Sequence, residues 1–319
     1  MSRAGARRPL PDGRRFAFSI LDDTDVSTLE NVKPVYELLR DLGLRTTKTV
    51  WPLDCPEGSK NYFAADTLQR PEYLAFVREL AAAGFEIASH GATMESSRRE
   101  RTERGIAFLE REFGRCPRLH ANHGENREDV YWGPERFRTP ALRWIVTRLG
   151  RQPGDHYVGE REGSDYFWGD LCLRHFTYVR NFTFSELDLL AVDPEAPYRL
   201  ESTPYVNYWF STTDAPDVEH FRSLVTRDAL DRLESEGGVC IVSTHLGKGF
   251  TRDGRVDAGV AEVLAYVASR PGWFAPVSEI LDHLREGRAD RPLGRGELLR
   301  LELRYLFDQL RARARIAAR

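Results

Sequence analysis

The stretch Phe16-Ala17-Phe18-Ser19-Ile20-Leu21-Asp22-Asp23-Thr24-Asp25 runs apolar for most of its length and then ends in three carboxylates within four positions. An apolar run this short and continuous reads as a strand buried on both faces. The same pattern recurs along the chain. Arg45–Trp51 reads as a second strand, Phe85–Ser89 as a third ending at His90, Arg118–His120 as a fourth, and Val239–Thr244 as another ending at His245. Between them lie helical segments: one capped by Ser27 or Thr28 and stopped by Gly43, then Pro71–Ala83, Ser97–Phe113 and Arg138–Leu149. Residues 155–215 are less regular and aromatic-rich, and are expected to hold several strands. Helices are expected at about 217–236, 257–269 and 277–286. Alternating strands and helices predict an α/β fold with a parallel sheet, open or closed into a barrel. No G-x-G-x-x-G or Walker A loop follows any strand, so a phosphate cradle is missing.

Polar residues collect where the strands end: Asp22 to Asp25, His90, the turn His120-Ala121-Asn122-His123, and His245. In parallel α/β folds that edge is where sites assemble. Adjacent acids such as Asp22 and Asp23 point different ways, so one can hold a metal while the other takes a proton. A helix N-cap accounts for them equally simply, and Thr24 or Asp25 would serve that purpose too.

Taken in order, these segments resemble the motifs of the NodB-homology polysaccharide deacetylases, over about residues 16–285. Phe18-Ser19-Ile20-Leu21-Asp22-Asp23 is similar to their T-F-D-D-G motif, and Glu86-Ile87-Ala88-Ser89-His90 to their second motif. Leu119–Gly124 sits at the place of the third, and Val239–His245 resembles the fifth. Trp273–Leu281 resembles the closing strand and helix. The resemblance implies a distorted NodB-like (β/α)7 barrel and a divalent metal, zinc by preference. It also implies hydrolysis of an acyl group, N-acetyl above all, from a sugar. By resemblance Asp22 is the general base, Asp23 and His90 are metal ligands, and His245 is the general acid. Asp170, or Asp165 close by, orients the acid. The expected branch is similar to the WbmS proteins of surface-polysaccharide assembly.

Two departures stand out. Met94 occupies the position four after His90, where the family places a second histidine, and a thioether suits a hard or borderline divalent ion poorly. The third motif's Arg-Pro-Pro-Tyr-Gly slots hold His120-Ala121-Asn122-His123-Gly124. His123, or else His120, then completes an Asp/His/His site. His120, Asn122, Trp132, Trp168 and Lys248 are candidates for substrate contact: the tryptophans for stacking on a sugar ring, Lys248 for a carboxylate or phosphate.

The 319 residues carry a net charge of −3, unevenly spread. Residues 1–15 and 295–319 are each near +4, which leaves an acidic body and argues against nucleic acid as a partner. Cys55, Cys116, Cys172 and Cys240 form no C-x-x-C pair. No apolar run reaches the roughly 20 residues of a membrane span, and no export signal is evident, so a cytoplasmic protein acting on a glycan precursor is expected. Three regions follow: a disordered basic leader over 1–15, the deacetylase-like domain over 16–290, and an amphipathic basic helix over 291–319. That helix would dock on the body, mediate self-association or touch a membrane surface. A metal-free sugar-binding pseudoenzyme on the same barrel is the main rival. A transferase using Asp23-Thr24-Asp25 as a D-x-D site is the other.

Overall fold

In the computed structural model, which describes residues 9–59, 61, 64–149 and 156–317, seven parallel strands close into a barrel. They are β1 (Phe16–Asp22), β2 (Thr47–Val50), β3 (Glu86–Ser89), β4 (Leu119–His120), β5 (Tyr178–Phe184), β6 (Tyr208–Asp214) and β7 (Val239–Thr244). β7 returns to pair with β1 from Ala17↔Val239 to Asp22↔Thr244. A small hairpin, β8 (Thr251–Arg252) with β9 (Arg255–Val256), follows β7. The barrel is distorted at β1, which reaches β2 only through Leu21 and Asp22. Its first residues pair instead with the short strand β10 (Gly272–Trp273).

The covering helices are α1 (Leu29–Asp41), α2 (Pro71–Ala82), α3 (Arg99–Phe113), α4 (Pro140–Leu149), α5 (Gly169–His175) and α6 (Leu189–Val192). Then come α7 (Val218–Leu224), α8 (Arg227–Glu236), α9 (Ala258–Ala268), α10 (Val277–Arg285) and α11 (Arg295–Ala317). Thr28 caps α1 in a reciprocal box with Asn31. The single helix expected over 217–236 is two, because Thr226 leaves helical geometry and its side chain caps α8.

Period-two alternation sorts the strand residues. Leu21, Ala88, Leu119, Tyr178, Phe210 and Ile241 come from six different strands yet form one apolar cluster, which must therefore lie inside the barrel. Val277, Ile280, Leu281 and Leu284 of α10 join it from below. Phe18, Ile20, Cys240 and Val242 face outward, under the helices.

Of the expected leader, residues 1–8 lie outside the described residues. Pro11–Gly13 form a single 3-10 turn, Leu10 packs on the interior cluster, and Arg15 pairs with Glu234 at 3.0 Å. The C-terminal helix docks on the barrel. Leu301 is buried, Tyr305 packs on Phe182 with ring centres 4.5 Å apart, and the buried Glu302 accepts the Arg138 amide at 2.6 Å. Leu299, Phe307 and Leu310 face outward. Among the described residues, no helix is long and apolar enough to cross a membrane.

One buried acid makes stability pH-dependent. Asp193, just after α6, is 1% exposed and accepts the Ser211 hydroxyl at 2.6 Å; burial pushes its carboxyl up to about 7. Unfolded, it would titrate near ~3.9. Between those values the folded chain holds a proton that the unfolded chain has released, so stability falls as pH rises. Asp193→Asn is therefore expected to raise the unfolding free energy at pH 8, on the order of a few kcal/mol, with the gain fading toward pH 4. Urea melts of both proteins across that range measure it; a gain independent of pH would contradict the assignment.

Candidate active site

Extending the inward alternation beyond the apolar cluster, past the C-terminal ends of the strands, leads to the site. After Leu21 comes Asp23, after Ala88 His90, after Leu119 and Ala121 His123, after Tyr178 Arg180, after Phe210 and Thr212 Asp214, and after Ile241 and Ser243 His245. Trp51, two residues after Thr49 of β2, joins them.

Asp25 is the hub. Its Oδ1 lies 3.4 Å from His90 Nε2 and 3.3 Å from His123 Nε2, and its Oδ2 lies 2.9 Å from His245 Nε2. The chain can turn Asp25 back because Val26 adopts φ 53°, a costly conformation for a β-branched residue. Asn31 Nδ2 holds the Val26 carbonyl at 2.9 Å.

The histidines are oriented from behind. His90 Nδ1 lies 2.8 Å from the Ala121 carbonyl and His245 Nδ1 lies 2.7 Å from the Pro216 carbonyl. A carbonyl only accepts, so both Nδ1 atoms carry protons. His123 Nδ1 meets Asn126 Oδ1 at 3.2 Å; the Asn126 amide nitrogen donates to Thr93 O and Glu128 Oε1, which leaves its oxygen for His123. His90 and His123 therefore present bare Nε2 lone pairs toward Asp25. Trp51 braces both rings, with centres 4.8 Å from His90 and 5.2 Å from His123.

His245 differs. Its Nε2 faces an ionised carboxylate, so it is protonated at both nitrogens. Burial would lower its pKa, but the hydrogen bond it donates to Asp25 and the charges of Asp23 and Asp25 raise it. Burial likewise opposes the Asp25 charge, yet the hydrogen bond donated by His245 and the imidazoles around it hold that carboxyl far below the usual range. Asp23 Oδ2 takes a 2.6 Å bond from Arg180, whose other amino group donates to Asn122 O. Asp23 Oδ1 stays free, 3.9 Å from His90 Nδ1. Asp214 lies near this pair, and burial raises its pKa against the Arg180 charge.

Those residues fit a divalent cation. Asp25 Oδ1 and His90 Nε2 are buried, point together and have no hydrogen-bond partner, an arrangement that is costly unless something bridges them. Two imidazoles and a carboxylate suit zinc or a similar ion, and hydrogen bonds on the far nitrogens are what metal-binding histidines use. Asn126→Leu would remove the bond that sets the His123 tautomer. We expect it to weaken metal affinity by roughly 10–100-fold with the fold intact, measured by calorimetric titration of metal-free protein with zinc. Unchanged affinity would show that the tautomer needs no support.

Several residues expected at the site lie elsewhere. Asp22 has the outward parity of Phe18 and Ile20. It is fully buried, paired with Lys48 at 2.8 Å and bonded by Tyr36 OH and the Leu246 amide, so it is no free base. Asp170 pairs bidentately with Arg99 and is half exposed, and Asp165 is exposed beside Arg98; the Pro216 carbonyl orients His245 instead. His120 turns outward between Ser89 and Asn122, edge-on to Trp168, and burial drops its pKa to about 3. Asn122 is buried and bonds both ways with Val130. Trp168 is 2% exposed and donates to Glu128 O, while Trp132 carries Arg136 over its ring at 3.8 Å. Lys248 follows His245 in a turn and is half-buried. Arg180, Asp214 and Trp51 were not among the expected site residues, and Asp25 was expected only as a helix cap or within a D-x-D site.

Solved structures share this architecture. A protein assigned as a polysaccharide deacetylase from Mycobacterium smegmatis superposes with a TM-score of 0.53 at 18% identity, over 91% of this chain and 98% of that one. The chain has the NodB-like deacetylase fold. A second protein assigned as a polysaccharide deacetylase, from Pseudomonas aeruginosa, gives 0.51 at 16% identity over 89% and 99%. The Puue allantoinase gives 0.53 at 16% identity over 90% and 96%, so this barrel also carries another activity. No family model matches the chain, and no curated protein matches it.

Proposed function

We propose that the chain is a metal-dependent hydrolase that removes an acyl group, N-acetyl by preference, from a sugar or glycan precursor. The observation that carries this reading is the convergence of Asp25 Oδ1, His90 Nε2 and His123 Nε2, each imidazole already committed at Nδ1. These three side chains would hold the cation. Bound there, it would supply Lewis acidity toward the acyl carbonyl and ease deprotonation of water.

The chain's own groups divide the proton work. Asp23, fixed through Oδ2 by Arg180, offers Oδ1 as the acceptor of a proton from the attacking water. His245, protonated and aimed across Asp25, donates to the leaving amine. This shifts the roles implied by the T-F-D-D-G resemblance two positions along the chain for the ligand and one for the base. Lys248, beside His245, remains the candidate for an anionic substituent on the substrate.

Acetate release from N-acetylated sugars tests the reading. Chelation is expected to abolish activity and zinc or cobalt to restore it. His245→Ala should lower kcat by roughly 10²–10⁴-fold while metal content stays the same. A folded protein that binds acetylated sugar but takes up no metal would instead be the pseudoenzyme.

A further inference from the structure

A second group of donor atoms sits at the other end of the barrel. Glu110 in the last turn of α3, Cys116 in the loop leading to β4, and His175 at the end of α5 place a carboxylate oxygen, a thiol sulfur and a ring nitrogen all within 4.8 Å of one another. Cys116 precedes the start of β4 and His175 precedes the start of β5, so the group lies by the strands' N-terminal ends, away from Asp25 and its histidines. The spacing of these residues along the chain gives no hint of it.

We propose that Glu110, Cys116 and His175 form a second metal site, selective for zinc or a comparably soft divalent ion. Sulfur and nitrogen donors disfavour magnesium and calcium, and three mixed donors leave one position for water or a fourth side chain. His175 Nδ1 and Glu110 Oε1 are already 3.1 Å apart, a spacing that adjacent ligands of one cation also show. Glu110 is partly exposed, which gives an ion a way in, while Cys116 is half-buried against the outer apolar layer. Burial and the Glu110 charge keep the Cys116 thiol protonated, so binding would release its proton. Cys172, one helical turn before His175, is buried and close enough to Cys116 for the two thiols to influence each other. An ion here would tie α3, the entrance to β4 and α5 together, a structural staple independent of the catalytic reading.

Cobalt distinguishes this site from the other, because the Asp25 site contains no sulfur. Titrating metal-stripped protein with cobalt should produce a near-ultraviolet thiolate-to-cobalt absorption, saturating at one sulfur-bound ion per chain. It should vanish in Cys116→Ser and His175→Ala and persist in Asp25→Ala. Zinc should also protect Cys116 from alkylation in the native chain, a readout that needs no variant. Absence of the absorption, with Cys116 alkylated equally fast with and without zinc, would overturn the proposal and leave an ordinary His–Glu ion pair beside a thiol.

Discussion

Asp25→Ala is expected to lose the divalent metal, whereas Asp23→Asn keeps it and loses turnover. The two residues are neighbours in one loop but do different work. Asp25 Oδ1 faces two bare imidazole nitrogens at 3.3 and 3.4 Å, with nothing else to satisfy it. Removing that carboxylate leaves two nitrogens and no carboxylate between them to hold a dication. The loss should exceed the roughly 10–100-fold caused by deleting an outer hydrogen-bond partner. Asp23 instead has one oxygen held by Arg180 and the other free. Asparagine keeps the shape and the contact surface but cannot take a proton, so kcat should fall by roughly 10²–10⁴-fold with metal content unchanged. Metal analysis and acetate release on the same two preparations decide the matter. If Asp23→Asn lost the metal and Asp25→Ala kept it, the assignment drawn from the motif would stand and the one drawn from geometry would fall.

Why motif and geometry assign these roles differently can be traced to single side chains. The strand Phe16–Leu21 was legible from its apolar run, and so was the fact that chemistry gathers at its end. Which acid faces inward depended on parity: Phe18 and Ile20 lie outside and Leu21 inside, which sends Asp22 under the helices and Asp23 over the barrel axis. That rule was available in the sequence once the interior was known, and applied to β5 and β6 it would have found Arg180 and Asp214. Asp25 continues the inward alternation of Leu21 and Asp23, but beyond the end of the strand and just before the turn at Val26, where the sequence gives no sign that the alternation persists. The support of His245 was equally hidden, since a backbone carbonyl provides it and no side-chain motif records one. His123 and His120, both candidates for the missing ligand, are separated by the same alternation: His123 shares the inward parity of Leu119, and His120 does not.

Helices were legible where the apolar period was clean and the ends were marked. Gly43 and Gly114 adopt left-handed φ of 73° at the expected stops of α1 and α3. Residues 155–215 resisted because α5 and α6 are only seven and four residues long, too short for a period to show.

Lys48→Met should cost about 3–5 kcal/mol of stability, the second large effect expected. Lys48 and Asp22 are cross-strand partners, both fully buried, at 2.8 Å. Burial is the largest influence and works against the lysine charge, but the charge and hydrogen bond of Asp22, together with Tyr73, more than offset it and raise the lysine pKa. Tyr36 and Tyr73 present their rings to the ammonium at 5.4 and 5.9 Å. Methionine fills much of the same volume yet leaves the Asp22 carboxylate buried without its cation. Pairing it with Asp22→Asn should recover most of the loss, because the amide oxygen can still accept the Leu246 amide now bonded at 2.9 Å. Denaturant melts of the four proteins form the cycle, and a coupling energy near zero would show that the pair does not act as a unit. The double variant also isolates what Asp22 does. As a catalytic base it would lose turnover even where stability returns. As the clamp on the amide that follows His245, it should recover activity along with the fold.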